Sequence, residues 1–214
     1  MSLRRLPVYI LADCSGSMAG DPIESVKQGI RELSSNLMGD PSAIESAYLS
    51  VITFSDEATQ VVPLTEIAQF VPPDLQAGGT THLGAAIKLL MDCIEREVNK
   101  STAQVKGDWK PLIFIMSDGD PSDDHRAFAN ELKTRRYANI IALACGDAAP
   151  ANALKDITES VLQMRDMSPG AFKQFFKWVS QSIKQTSQKC SASPNDVASG
   201  ISLPPPPQGI TIVP

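Results

Sequence analysis

Two apolar runs in this chain end in a carboxylate, and that shared ending limits the folds open to it more than any other feature. Pro7-Val8-Tyr9-Ile10-Leu11-Ala12 leads into Asp13-Cys14-Ser15-Gly16-Ser17, and Leu112-Ile113-Phe114-Ile115-Met116 leads into Ser117-Asp118-Gly119. Short runs that are apolar on both faces are central strands of a parallel sheet covered by helices on either side. The C-terminal ends of such strands meet along one edge, where open α/β sheets bind their ligands. Alternation along extended chain puts Asp13, Ser15 and Ser17 on one side of the turn that follows. A third segment, Gly78-Gly79-Thr80-Thr81-His82-Leu83-Gly84, reads as a Gly-rich turn opening a helix. Asp13, Ser15, Ser17, Thr81 and Asp118 are therefore candidates to converge on one ion. They offer hard oxygens with no thiolate or imidazole, which suits Mg²⁺, or alternatively Mn²⁺ or Ca²⁺.

The rest of the chain alternates between strand-like and helix-like patterns, as a doubly wound, mostly parallel α/β fold requires. Strand-like stretches lie at about 8–13, 47–54, 59–62, 112–116, 139–145 and 160–164. The stretch at 59–62 follows a turn at Ser55-Asp56 and supplies one antiparallel edge strand. Ile23, Val26, Ile30, Leu33 and Leu37 form a helical stripe, as do Leu83, Ile87, Leu90, Ile94 and Val98. Segment 122–136 reads as a helix with acidic residues first and basic ones last, the order its dipole prefers. Phe172, Phe175, Phe176, Val179 and Ile183 mark a terminal helix with an aromatic face. Beyond Gln188 the periodicity stops, and Ser193-Pro194-Asn195 and Leu203-Pro204-Pro205-Pro206-Pro207 take over. The chain thus divides into a folded unit at 1–187 and a flexible Ser/Pro-rich tail at 188–214, in which prolines cannot join a sheet ladder.

The ordered set Asp-x-Ser-x-Ser, Gly-Thr turn and apolar strand ending Ser-Asp-Gly resembles the von Willebrand factor A (VWA) domain, a Rossmann-like fold. The resemblance covers roughly residues 5–187. It implies that Asp13, Ser15, Ser17, Thr81 and Asp118 form a metal-ion-dependent adhesion site with one coordination position left for an acidic group of a protein partner. Thr80 and Thr81 are adjacent; Thr81-His82-Leu83-Gly84-Ala85-Ala86-Ile87 fits the family's threonine pattern, which favours Thr81. Arg5-Leu6-Pro7-Val8-Tyr9, Val51-Ile52-Thr53-Phe54, Lys106-Gly107-Asp108-Trp109-Lys110-Pro111 and Ile115-Met116-Ser117-Asp118-Gly119 further resemble the bacterial TerY-type branch. That branch implies a stress or tellurium-resistance setting, with a kinase and a phosphatase of the same operon as partners.

The charge balance of 19 basic and 24 acidic side chains, with no Lys/Arg-rich stretch, speaks against nucleic acid as a partner. No apolar run is long enough to span a bilayer. Cys14, Cys93, Cys145 and Cys190 contain no CxxC pair, which fits a reduced, cytoplasmic setting, with Cys14 as a packing residue and Cys190 exposed. Catalysis is disfavoured. An aspartyl-nucleophile phosphoryl hydrolase needs a second Asp where Ser15 stands, and neither a P-loop nor a nucleophile elbow is present. Two alternatives stay open at this level: a Mg²⁺-dependent phosphoryl hydrolase, and a scaffold whose ion serves stability alone. His82 reads as a rim residue, Trp109 as a packing anchor, Asp120 as a rim acid, and Asp123 and Asp124 as helix N-terminal acids.

Overall fold

All eight residues of the first strand, β1 (Leu6–Asp13), are buried, so it must lie inside a sheet covered on both faces. The computed structural model describes residues 4–136, 138–146, 149–192 and 203–214. Six further strands join β1: β2 (Ala47–Phe54), β3 (Ala58–Glu66), β4 (Leu112–Ser117), β5 (Asn139–Cys145), β6 (Val161–Met164) and β7 (Ile210–Ile212). The order across the sheet is β3-β2-β1-β4-β5-β6-β7. The five inner strands are parallel, and β3 and β7 run antiparallel at the two edges.

Alternation along β1 divides the core in two. Val8, Ile10 and Ala12 face α1 (Asp21–Met38), α2 (Pro41–Ser46) and α6 (Pro169–Ala192). Tyr9 and Leu11 face α3 (Leu83–Glu97), α4 (Arg126–Arg135) and α5 (Ala149–Lys155). Phe172, Phe175 and Phe176 of α6 are fully buried, each contributing about 2 kcal/mol by leaving water. Helix α1 reaches α6 closely only because Gly29 has no side chain: a Cβ there would lie 2.0 Å from the Phe176 ring.

The N-terminal end of β1 is locked by ions. Arg5 donates to both oxygens of Asp108, at 2.9 and 2.5 Å, and to the Glu97 carbonyl at 2.7 Å. Asp108 also accepts from the Asn99 amide at 2.7 Å. The Arg4 guanidinium stacks 3.8 Å above the Trp109 ring, and Trp109 packs against the core as an anchor.

The structure corrects four sequence expectations. The sheet has two antiparallel edges, since β7 adds a second. β3 runs well past 59–62, with alternate exposure along its outer edge. The helix expected at 122–136 begins only at Arg126, because Asp123 is engaged with a different helix. The tail is not wholly flexible: α6 continues to Ala192, and Ile210, Thr211 and Ile212 pair with Met164, Gln163 and Leu162. The prolines stay out of the ladder, yet the Pro204 carbonyl accepts from Trp178 Nε1 at 2.9 Å. After the turn at Gly209 (φ 86), β-branched residues reach the open edge of β6. Ser193, Pro194 and Asn195, and the side chain of Cys190, lie outside the described residues.

Candidate metal centre

β1 lies between β2 and β4. The chain leaves β1 for β2 on one side and leaves β4 for β5 on the other, so the loops after β1 and β4 part and open a crevice at their C-terminal ends. Asp13 sits at the floor of this crevice and is 0% exposed. Its Oδ1 accepts from the Ser15 amide at 2.8 Å and its Oδ2 from the Ser117 hydroxyl at 2.6 Å. Burial raises the Asp13 pKa above the usual carboxylate value; the Ser117 and Ser15 hydrogen bonds oppose this, and the Asp118 charge adds to it. Above Asp13 the Ser15 and Ser17 hydroxyls are 3.1 Å apart, and Ser17 Oγ donates to Asp118 Oδ1 at 2.7 Å.

Thr81 comes from the turn before α3. The Gly16 amide donates to the Gly79 carbonyl at 3.0 Å and the Gly78 amide to the Cys14 carbonyl at 2.8 Å, lacing the first and third segments together. Thr81 is only 5% exposed, and its hydroxyl has no hydrogen-bond partner among the described residues. A Cβ placed on Gly119 would lie 3.1 Å from Thr81 Oγ1 and 4.0 Å from Ser17 Oγ, so the two hydroxyls face the same small space. Thr80 points elsewhere: its amide and hydroxyl donate to Asp56 Oδ1 at 2.8 and 2.7 Å, holding Asp56 more acidic than usual. Gly79 (φ 80) permits this turn, since a Cβ there would be 2.5 Å from the Asp56 carboxylate.

Asp13, Ser15, Ser17, Thr81 and Asp118 are thus gathered at one corner. The oxygens in hydrogen-bond contact there are 2.7 to 3.1 Å apart. Adjacent corners of an octahedron with bonds of about 2.0–2.1 Å are about 3 Å apart, so these hydroxyl and carboxylate oxygens fit a small, hard divalent cation. Among the described residues no group of three or more His, Cys, Asp or Glu side chains is placed to hold a metal ion. A cation at this corner would therefore need the hydroxyls.

Three supporting residues were not singled out as site residues from sequence. Ser117 orients Asp13. Ser122 brackets Thr81, donating its amide to the Thr81 carbonyl at 2.8 Å and accepting from the Thr81 amide at 3.3 Å. Asp56 sequesters Thr80. Only Ser117 had a sequence signal, its place beside Asp118 at a strand end. Asp123 does cap a helix, but it is α3: the Gly84 and Ala85 amides donate to its oxygens at 2.9 Å, fixing the helix that follows Thr81. Cys14 is buried, and its thiol is pushed up to about 12 by burial and then by Asp13, which leaves it a neutral packing group. His125 contacts Asp156 at 3.0 Å, whereas the Ser15 and Ser17 hydroxyls contact each other and Asp118.

The chain matches the von Willebrand factor type A domain family over residues 8–186. No curated protein matches it. Among solved structures, proximal thread matrix protein 1 from the mussel byssus, with a zinc-occupied MIDAS motif, superposes with a TM-score of 0.60 at 20% identity, covering 84% of this chain and 48% of that one. The pilus adhesin SpaC from Lactobacillus rhamnosus GG gives 0.68 at 13% identity, with 87% and 31% covered. The von Willebrand domain of the pilus tip protein Mfa5 from Porphyromonas gingivalis gives 0.65 at 13%, with 86% and 97% covered. The chain spans about half the length of the mussel protein and about a third of SpaC. At these identities the likeness concerns the fold.

Proposed function

The chain belongs to the von Willebrand factor type A family, and from that premise we propose that it is a non-catalytic, metal-dependent protein-interaction module. Asp13, Ser15, Ser17, Thr81 and Asp118 hold Mg²⁺, with Mn²⁺ or Ca²⁺ as substitutes, and a Glu or Asp of a partner protein completes the site. The observation that carries this reading is the Thr81 hydroxyl, on a residue only 5% exposed, unpartnered among the described residues and facing Ser17 beside two carboxylates.

Each residue has a distinct task. Asp13 and Asp118 supply the negative charge that attracts a cation. Ser117 and the Ser15 amide fix the Asp13 carboxylate. Gly119 keeps space open between Thr81 and Ser17. The bound cation would supply a Lewis-acid position for an incoming carboxylate. The apolar ends of β1 and β4 beneath it lower the local dielectric and strengthen that contact.

The reading extends to a TerY-type role in a bacterial stress or tellurium-resistance system, in the cytoplasm, with a kinase and a phosphatase as partners. Its support is the resemblance of the segments around Arg5, Val51, Asp108 and Asp118. Among the described residues no helix is long and apolar enough to cross a membrane.

Affinity capture on the immobilised chain tests the reading, run in Mg²⁺, in EDTA and with Asp118→Ala. A protein retained only by wild type in Mg²⁺ supports it. Retention indifferent to both changes would defeat it.

A further inference from the structure

The loops that build and rim the metal corner are strongly one-signed. Segments 14–20, 55–57, 76–82 and 118–125 contain Asp56, Glu57, Asp118, Asp120, Asp123 and Asp124, and no Lys or Arg. With Asp13 at the end of β1 that makes seven carboxylates, of which a divalent ion offsets two charges and leaves five. The acids also stand on both sides. β2 and β4 flank β1, so the turn with Asp56 and Glu57 rises on one side and the loop with Asp120 and Asp124 on the other. Asp56, Glu57, Asp120 and Asp124 are all exposed.

Two cations on the flanking helices α1 and α4 are already engaged. Lys27 contacts Glu24 at 2.9 Å and Asp74 at 2.7 Å, and Arg126 lies 3.7 Å from Asp156. Arg165 follows β6, two strands beyond β4 in the sheet. His82, half-buried, is the one basic side chain within the rim segments other than His125, which contacts Asp156.

A bare carboxylate approaching such a rim would be repelled by the banks on either side of the ion, since exposed like charges interact within a Debye length of about 8–10 Å. Resting on the metal-dependent reading above, we propose that the partner group is a Glu or Asp flanked on both sides by Lys or Arg, carried on a basic protein surface. The Thr81 side chain, on a residue only 5% exposed and with its hydroxyl unpartnered among the described residues, independently marks the ligand position between the two acidic banks. The carboxylate completes the cation's shell while its basic neighbours meet Asp56 and Glu57 on one side and Asp120 and Asp124 on the other. Specificity then comes from the rim and metal dependence from the floor.

Three seven-residue peptides test this on the full chain in saturating Mg²⁺ at low salt, by fluorescence anisotropy. One carries Glu between paired lysines, one Glu between paired glycines, and one Gln between paired lysines. Exposed charge pairs contribute a few tenths of a kcal/mol each, so the lysine-flanked Glu peptide should bind about ten-fold more tightly than the glycine-flanked one. The Gln peptide should bind weakly, and EDTA should not weaken it further. Glu57→Gln combined with Asp120→Asn, neither of which touches the metal ligands, should cut the ten-fold preference to about three-fold while leaving Mg²⁺ affinity unchanged.

Equal binding of the two Glu peptides would overturn the basic-partner inference and leave the metal-dependent reading intact. So would failure of both to bind the Mg²⁺-loaded chain. Lysine-flanked Glu binding that survives EDTA or Asp13→Ala would instead break the metal-dependent reading itself.

Discussion

β1 ends in opposite electrostatic states. At its N-terminal end the Arg5 guanidinium and the Asp108 carboxylate make two contacts, and the spare acceptor and donor capacity goes to the Asn99 amide and the Glu97 carbonyl. At its C-terminal end Asp13 and Asp118 face each other with hydroxyls and amides between them and no Lys or Arg in the surrounding loops. Both ends tie together distant segments of the same sheet. One is closed by charges already in the chain, whereas the other is arranged for a charge from outside. Folding specificity favours the first arrangement, and departures from it concentrate where a protein binds something.

Four predictions sharpen the contrast. Asp108→Ala should cost about 3 kcal/mol, because it strands the Arg5 guanidinium in a mostly buried place; the melting temperature should fall about 9 °C. Mg²⁺ affinity should not change, and a loss there would mean that the two ends are coupled. Asp118→Ala should do the reverse: at least about 100-fold weaker Mg²⁺ binding by titration calorimetry, exceeding the effect of removing a residue that only orients a ligand, with little change in metal-free stability. Ser117→Ala, which removes only the hydroxyl that orients Asp13, should weaken Mg²⁺ binding about ten-fold. An unchanged affinity would show that Asp13 needs no such support.

The smallest effect is in the pH profile. The folded-state pKa of Asp13 is raised, chiefly by burial, so the folded chain holds that proton more tightly than the unfolded chain. Below the unfolded value of about 4 both states are protonated and the group contributes nothing. As pH rises from there through the raised folded value, metal-free wild type loses stability. Asp13→Asn lacks this loss, so in EDTA the stability of wild type relative to the variant should fall between acid and neutral pH, and Mg²⁺ should restore it. A difference independent of pH would contradict the assigned shift.

The two ends also differed in how readily sequence revealed them. Asp13, Ser15 and Ser17 were legible because a strand's alternation and its apolar run fix where they emerge. Thr81 and Thr80 were separable only by a pattern; the physical reason, Asp56 holding Thr80, involves a residue 24 positions away that no local periodicity connects. Asp123 looked like the cap of the helix after it and instead caps α3 across the crevice. β7 was hidden by its three-residue length and by the prolines before it, which set the composition while the short Ile-Thr-Ile stretch carried the pairing. The Arg5–Asp108 lock likewise depends on sheet topology, since its members are 103 residues apart.

The central claim is that the C-terminal end of β1 is built to be completed by a hard cation. Isothermal titration of the EDTA-stripped chain with Mg²⁺, repeated on Asp13→Ala and on Asp108→Ala, tests it directly. The account predicts one saturable site per chain, lost in Asp13→Ala and retained in Asp108→Ala. Equal binding by wild type and Asp13→Ala, or no binding by wild type, would contradict it.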